Sequence, residues 1–147
     1  MPVEEVRLIA FADIDGFVKI CKNLKPIEIF NLMSRYYELV GNIIEGSNGQ
    51  IIKFIGDTVM MTYTKERAKE GVRALEELKD SVDQWLQAMN LKAKLSITAD
   101  IGPVAYGKLG TSNDKRFDVF GQTVNNASMM RGEGLILSAE LEKELAT

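Results

Sequence analysis

The chain has 147 residues, 46% of them apolar and 27% charged, and a net charge of −3. This size fits one compact domain, and the nearly balanced charge gives no electrostatic reason to expect a nucleic-acid or anionic-membrane partner. With no histidine and a single cysteine, histidine-based catalytic triads, HExxH zinc sites and internal disulfides are excluded. Any catalysis must use carboxylates, Lys, Arg, hydroxyls or metal ions.

The first third of the chain predicts a buried strand and a long helix. Residues 7–14 form a short, mostly apolar run, which is typical of a buried strand. Pro26 then begins an amphipathic helix, and Gly46, Asn48 and Gly49 predict its end. Its predicted buried face, at spacings of three and four, comprises Ile27, Phe30, Met33, Tyr37, Val40 and Ile44.

The middle of the chain predicts a hairpin followed by a second long helix. Residues 50–55 and 58–63 are β-prone and are separated by Gly56-Asp57, a pair suited to a tight turn. Strict alternation along the first of these strands places Lys53 on the same face as Ile51 and Ile55. Apolar residues at helical spacing from Ala68 to Met89 predict the second helix.

The last third predicts short elements. Residues 94–101 and 104–109 are expected to form a strand pair that turns at Gly102-Pro103. A strand over 116–120, a helix over 124–131, a strand over 135–137 and a helix beginning at Ser138 follow. A sheet with both long helices on one face would bury both apolar stripes. The predicted fold class is therefore α+β, with ferredoxin-like character.

Two acidic residues stand out by position. Asp13 lies near the end of the first strand and Asp57 at the tip of the predicted hairpin. If these elements are neighbours, the two carboxylates converge at one edge of the sheet, where they could hold divalent cations that arrive with substrate phosphates. The alternative to a metal site is that Asp13 is only an acidic residue at the end of a strand and that Asp57 only helps to form the turn. Lys53 likewise is either a charged guard on an edge strand or a donor to a ligand.

Four sequence blocks together resemble the class III nucleotidyl cyclase catalytic domain. They are FADIDGF (11–17), KFIGD (53–57), GPVAYGKLG (102–110) and FDVFGQTVNNAS (117–128). The resemblance implies a ferredoxin-like βααββαβ core with two long helices packed on one face of the sheet, in a single cyclase-homology domain over residues 1–147. It also implies head-to-tail pairing with a second copy or with another cyclase domain.

The resemblance assigns roles to individual residues. Asp13 and Asp57, with the backbone carbonyl of Ile14, correspond to ligands of two Mg²⁺ or Mn²⁺ ions. Lys53 and Asp118 correspond to the pair that reads the purine, in the adenine-type combination, so ATP is expected ahead of GTP. The implied reaction is conversion of ATP to cyclic AMP and pyrophosphate.

The catalytic end of the motif is only partly retained. Asn125 matches the asparagine that orients the ribose and the transition state, but the arginine expected four residues later is Met129. Arg131 is two positions further on, which on a continuous helix turns it about 200° away. The lysine-bearing hairpin that follows in the family is also missing before Thr147, and neither Lys143 nor Lys92 sits in a matching context.

Two functions therefore stay open from the sequence. The first is an adenylate cyclase whose activity is weakened or lost. The second is a catalytically inactive cyclase-homology module that binds nucleotide and metal, or dimerises as a regulatory domain. A structural domain whose acids are only turn residues is disfavoured by the four blocks. The acidic N-terminus and the lack of a long apolar run lead us to expect a cytoplasmic protein.

Overall fold

The computed structural model describes all 147 residues and contains six strands, five α-helices and a short 3-10 helix over Lys65–Arg67. The strands are β1 (Val3–Asp15), β2 (Gln50–Ile55), β3 (Thr58–Thr64), β4 (Lys94–Thr111), β5 (Asp114–Phe120) and β6 (Leu135–Leu137). The helices are α1 (Phe17–Cys21), α2 (Pro26–Gly46), α3 (Ala68–Ala88), α4 (Gln122–Met129) and α5 (Ala139–Leu145). No helix combines the length and the apolar character needed to cross a membrane.

The strands form one sheet in the order β2-β3-β1-β4-β5, and β6 lies parallel to β4. The long helices α2 and α3 pack on one face, which we call the helix face, and bury a cluster of 24 residues there. Strand β1 contributes Leu8, Ala10, Ala12 and Ile14 to this cluster by simple alternation. This arrangement confirms the predicted α+β fold with both long helices on one side of the sheet.

Helix α2 has the predicted bounds but a partly different buried face. Val40 and Ile44 are buried as expected, together with Leu32 and Tyr36. The predicted Ile27 and Phe30 are instead 63% and 71% exposed. The buried residues of α2 therefore begin at Leu32, and the apolar side chains of its first turns lie largely in solvent.

The predicted turn at Gly102-Pro103 is wrong, because β4 is one continuous strand of 18 residues. It pairs with β1 along its length, with Gly102 opposite Arg7 and Pro103 opposite Val6. Proline is tolerated there because β5 and β6 pair with other parts of β4, which leaves the far side of Pro103 without a strand partner. Glycine is needed for close packing, since a Cβ on Gly102 would lie 2.4 Å from Thr123 Oγ1.

The opposite face of the sheet, which we call the open face, carries only a small apolar cluster. Its five buried members are Ile9, Met60, Val104, Val119 and Ala127, and the last of these belongs to α4. Helix α4 rests on this face through Thr123 and Ala127, and Thr98 Oγ1 donates to the carbonyl of Ala127 at 2.7 Å. The partly buried residues Phe11, Ile52, Tyr106 and Val124 pack against this cluster.

Candidate functional site

The β2–β3 turn brings Asp57 to the end of β1. Gly56 has a φ of 61°, the left-handed conformation that glycine adopts without strain. Asp57 Oδ2 accepts a hydrogen bond from the backbone N–H of Ile14 at 2.9 Å. The predicted convergence of Asp13 and Asp57 is therefore found, because β1 pairs directly with β3.

Two adjacent tyrosines of α2 hold this turn in place. The hydroxyl of Tyr36 donates to the carbonyl of Asp57 at 2.9 Å, and the hydroxyl of Tyr37 donates to the carbonyl of Gly56 at 2.7 Å. Burial, followed by the charge of Asp57, raises the pKa of Tyr36, so its hydroxyl stays a donor. The apolar spacing placed Tyr37 on the buried face of the helix and did not predict that either tyrosine hydrogen-bonds to the β2–β3 turn. The Tyr-Tyr pair was the available signal.

The carboxyl group of Asp13 sits in a negative environment. Its pKa is raised first by partial burial and then by the charges of Asp15 and Asp57, while the charge of Arg131 lowers it. A bound cation would relieve this repulsion, and oxygen donors suit hard divalent cations. No group of three or more acidic, His or Cys side chains is placed so that together they could hold a metal ion. Further ligands would have to be backbone carbonyls, water or substrate oxygens.

A cavity of about 540 Å³ joins the two carboxylates. Asp13, Ile14 and Asp57 line it, together with the cationic side chains of Lys19 and Lys92. Lys92 has no match in the sequence blocks, yet the α3–β4 connection carries it to this corner. The cavity thus combines acidic groups that could hold cations with two lysines that could meet phosphate oxygens.

Lys53 does not share a face with Ile51, contrary to the alternation prediction. The pairing of β2 with β3 shifts between these residues, so that Ile51 lies opposite Met61 and Lys53 lies opposite Met60. Such a β-bulge places one extra residue in the strand and reverses the faces that follow. Met61 belongs to the helix face and Met60 to the open face. The bulge therefore turns Lys53 onto the open face.

On the open face Lys53 meets Asp118. Lys53 Nζ lies 3.0 Å from Asp118 Oδ2, and Asp118 Oδ1 accepts from the backbone N–H of Val119 at 2.8 Å. The two residues are 65 positions apart on strands at opposite ends of the sheet order. The meeting shows that β5 reaches back to β2, since the second half of β4 extends past Val3 of β1 and carries β5 with it.

Aromatic contacts support this approach of β5. Tyr106 stacks on Phe117 with ring centroids 5.2 Å apart, and its hydroxyl hydrogen-bonds to Gln50 of β2 at 2.5 Å. The guanidinium of Arg7 lies 4.3 Å from the Tyr106 ring centre, a favourable cation–π geometry. The Lys53–Asp118 pair is thereby built on packed strands.

Asn125 lies on the side of α4 that faces away from the sheet. On α4, Thr123 and Ala127 are buried against the sheet, whereas Asn125 between them is exposed. Two positions along a helix correspond to a turn of about 200°, which accounts for this opposite orientation. Asn125 is not among the residues that line the cavities at Asp13. Within one chain, the structure does not bring Asn125 together with the carboxylates.

Arg131 lies beside Asp13 of its own chain, and the helix expected over residues 124–131 ends before it. Helix α4 ends at Met129, and Met130 is extended with φ −64° and ψ 144°, so the helical offset does not apply to Arg131. Arg131 and Asp13 line one cavity of about 490 Å³. Met129, which is 64% exposed, lines neither cavity at Asp13.

Comparison with known proteins gives a consistent result. The family model described as adenylate and guanylate cyclase catalytic domain matches residues 2–145. An adenylate cyclase from Anabaena cylindrica is 26% identical over 132 residues, which are 84% of this chain and 26% of that protein. Guanylyl cyclase C from Sus scrofa is 29% identical over 144 residues, 91% of this chain and 13% of that protein. The chain thus spans a minor part of these relatives.

A solved structure shows the same fold. A bacterial light-regulated adenylyl cyclase superposes with a TM-score of 0.88 at 25% sequence identity, covering 98% of this chain and 46% of that one. The overlay therefore includes the sheet, both long helices and the strands that carry Lys53 and Asp118.

Proposed function

The chain belongs to the adenylate and guanylate cyclase catalytic-domain family, and from that premise we propose that it is an adenylate cyclase domain that converts ATP to cyclic AMP and pyrophosphate. The observation that carries the choice of ATP is the ion pair between Lys53 and Asp118, with a 3.0 Å separation on the open face. The pair places a hydrogen-bond donor, Lys53, next to a hydrogen-bond acceptor, Asp118.

This pair suits the edge of adenine. Lys53 donates to the N1 atom, which is an acceptor, and Asp118 accepts from the N6 amine. In the same pose guanine would present a donor to the lysine and an acceptor to the carboxylate, which leaves buried polar groups unpaired. The backbone hydrogen bond to Asp118 Oδ1 fixes the acceptor. Lys53, with a side chain 44% exposed, is free to exchange its partner for the base.

Asp13 and Asp57, with the Ile14 carbonyl, are the proposed holders of two divalent ions such as Mg²⁺ or Mn²⁺. When bound, these ions would lower the pKa of the 3′-hydroxyl and neutralise the departing pyrophosphate. In the reaction, the 3′-oxygen forms a bond to the α-phosphorus and gives its proton to solvent water, while the bond from the α-phosphorus to the bridging oxygen breaks and its electron pair leaves with pyrophosphate. The chain's own task is to align these atoms.

The exposed position of Asn125 supports a head-to-tail dimer. Since Asn125 projects away from its own Asp13, it can orient the ribose only at the carboxylates of a partner subunit. Each site would then combine the base-reading residues and Asn125 of one chain with the metal-binding carboxylates of the other. This pairing forms two equivalent sites, as expected of a closed dimer.

A specific observation favours a second candidate. Met129 supplies no charge at the position where the family carries an arginine, so the domain could bind nucleotide without turning it over. In that case it would act as a cyclase-homology module that pairs with a complete partner.

A product assay separates these functions. Purified protein is incubated with ATP or GTP and Mn²⁺, and cyclic nucleotide and pyrophosphate are quantified. We expect cyclic AMP in excess of cyclic GMP and loss of both in Asp57→Asn, which keeps an oxygen to accept from Ile14. Nucleotide binding without product would instead establish the inactive module. A preference for GTP would contradict the roles of Lys53 and Asp118.

A further inference from the structure

Arg131 lines a cavity beside Asp13 and has no role in the reaction as described above. The cavity has a volume of about 490 Å³ and a largely polar wall. Arg131 is the only cationic residue among those that line it. The residues that matter for a phosphate group there are Asp13, Thr58, Ser96, Thr98 and Arg131.

The end of α4 positions the Arg131 side chain. Its Nη1 atom donates to the carbonyls of Ser128 and Met130, both at 2.9 Å. The last carbonyls of a helix lack partners within the helix, so they are natural acceptors for such a cation. The guanidinium has five N–H groups in a planar fork, and its other nitrogens donate to no protein atom. The free edge remains available to a ligand.

The corner beside Arg131 needs a cation when nucleotide binds. Asp13, Asp15 and Asp57 line one cavity and bring three carboxyl groups to this corner. A triphosphate adds further negative charge, and guanidinium groups pair with phosphate oxygens in a bidentate manner. Met129 contributes no charge.

We propose that Arg131 binds a phosphate group of the nucleotide at the carboxylates of its own subunit and stabilises the charge that develops there during ring closure. This inference rests on the proposed function and adds to it the source of the missing cation. It also fixes the subunit from which that cation comes. Arg131 faces its own Asp13, whereas Asn125 serves the carboxylates of the partner.

The two residues should therefore behave differently in mixed dimers. Consider three single variants that are each expected to retain about a hundredth of wild-type activity or less: Asp57→Asn, Asn125→Ala and Arg131→Met. If Arg131 and Asp57 act in the same site from the same chain, a dimer of Arg131→Met with Asp57→Asn has one defect in each site. A dimer of Arg131→Met with Asn125→Ala has both defects in one site and leaves the other site intact.

The experiment is to unfold or dissociate the variants, mix them in equal amounts, reassemble the dimers and measure cyclic AMP formation from ATP with Mn²⁺. With random pairing, half of the dimers are mixed, and each complementing mixed dimer has one intact site out of two. Complementation should therefore restore about a quarter of wild-type activity. We expect this for Arg131→Met with Asn125→Ala and for Asp57→Asn with Asn125→Ala. We expect no recovery for Arg131→Met with Asp57→Asn. The reverse pattern for the two Arg131→Met mixtures would overturn the inference.

Measurements on the single variant complete the test. Arg131→Met should lower kcat/KM for ATP about 10²-fold, as loss of one charge-stabilising donor does. It should also weaken ATP binding about tenfold while leaving adenosine binding unchanged, as measured by calorimetry. Arg73→Met, on the exposed side of α3, is the matched control and should change neither.

The outcomes separate the two proposals. If wild-type protein neither binds nor converts ATP, the proposed function fails. If wild type is active and Arg131→Met is equally active, only the role of Arg131 fails. Recovery of activity with Asn125→Ala also demonstrates that the Arg131→Met chain folds and dimerises, so misfolding cannot account for its inactivity alone.

Discussion

The helix face and the open face of the same sheet differ in what they bury. On the helix face, α2 and α3 cover 24 buried residues in one cluster. On the open face the apolar cluster has five residues, and the side chains around it include Asp13, Lys53 and Asp118. Neighbouring residues of one strand, such as Ala12 and Asp13, thus belong to two different environments.

This difference assigns stability and chemistry to opposite sides of one element. Burial of apolar surface is the main stabilising contribution in a domain of this size, and most of it lies beneath the two long helices. The open face can then carry repelling carboxylates and an exposed lysine at little cost to folding. Substitutions on the two faces should accordingly affect different measured quantities.

The largest expected effect on stability comes from the helix face. Leu75 of α3 is fully buried in the cluster. Leu75→Ala should lower the free energy of unfolding by about 2–5 kcal/mol, because it removes buried methyl groups and leaves a cavity. Thermal and urea denaturation measure this loss. Glu76→Ala, an exposed neighbour, should change stability by less than about 0.5 kcal/mol. A similar loss in both variants would contradict the assignment.

A smaller loss should follow from disturbing the packing of α4 on the open face. In Gly102→Ala the added Cβ would lie 2.4 Å from Thr123 Oγ1, so α4 must shift. We expect a loss of about 1–3 kcal/mol together with a fall in cyclase activity, since Asn125 and Arg131 move with the helix. Gly46→Ala, where a Cβ meets nothing within 4 Å, is the control and should leave activity intact. Full activity in Gly102→Ala would show that α4 is not needed at the site.

The smallest effect tests the connection between the two faces. Tyr36 is buried on the helix face and donates to the Asp57 carbonyl. Tyr36→Phe should cost about 1 kcal/mol and weaken Mn²⁺ binding, whereas Tyr37→Phe, at a less buried position, should cost less. The folded state raises the pKa of Tyr36. The neutral tyrosine therefore stabilises the fold fully at pH values below about 10, its pKa in the unfolded chain, and this stabilisation is lost as the pH rises above that value. The Phe variant should show a shallower alkaline decline.

Local patterns predicted most of the fold. Apolar spacing identified α2 and α3, and Gly56-Asp57 identified the β2–β3 turn. The predictions failed where distant contacts decide the local structure. Gly102-Pro103 has the composition of a turn, but the pairing with β1 and the approach of α4 make it part of a strand.

The convergence of Asp13 with Asp57 was predicted from the sequence, whereas the way in which Lys53 and Arg131 reach their positions was not. The sequence blocks identified Lys53 and Asp118, but only the bulge in β2 explains how Lys53 reaches the open face. The sequence predicted a helix through residue 131 and did not reveal that α4 ends at Met129, so it did not place Arg131 beside Asp13. A bulge and a helix end both depend on the register of neighbouring elements, which a periodicity within one segment does not contain.

The most direct test of a metal-dependent nucleotide site on the open face is a Mn²⁺ titration followed by electron paramagnetic resonance, with and without ATP. Wild type should bind Mn²⁺ more tightly when ATP is present. Asp57→Asn should lose that increase while its thermal denaturation stays close to wild type, and Leu75→Ala should keep the increase at temperatures where it is folded. Equal Mn²⁺ and ATP binding in wild type and Asp57→Asn would contradict the account.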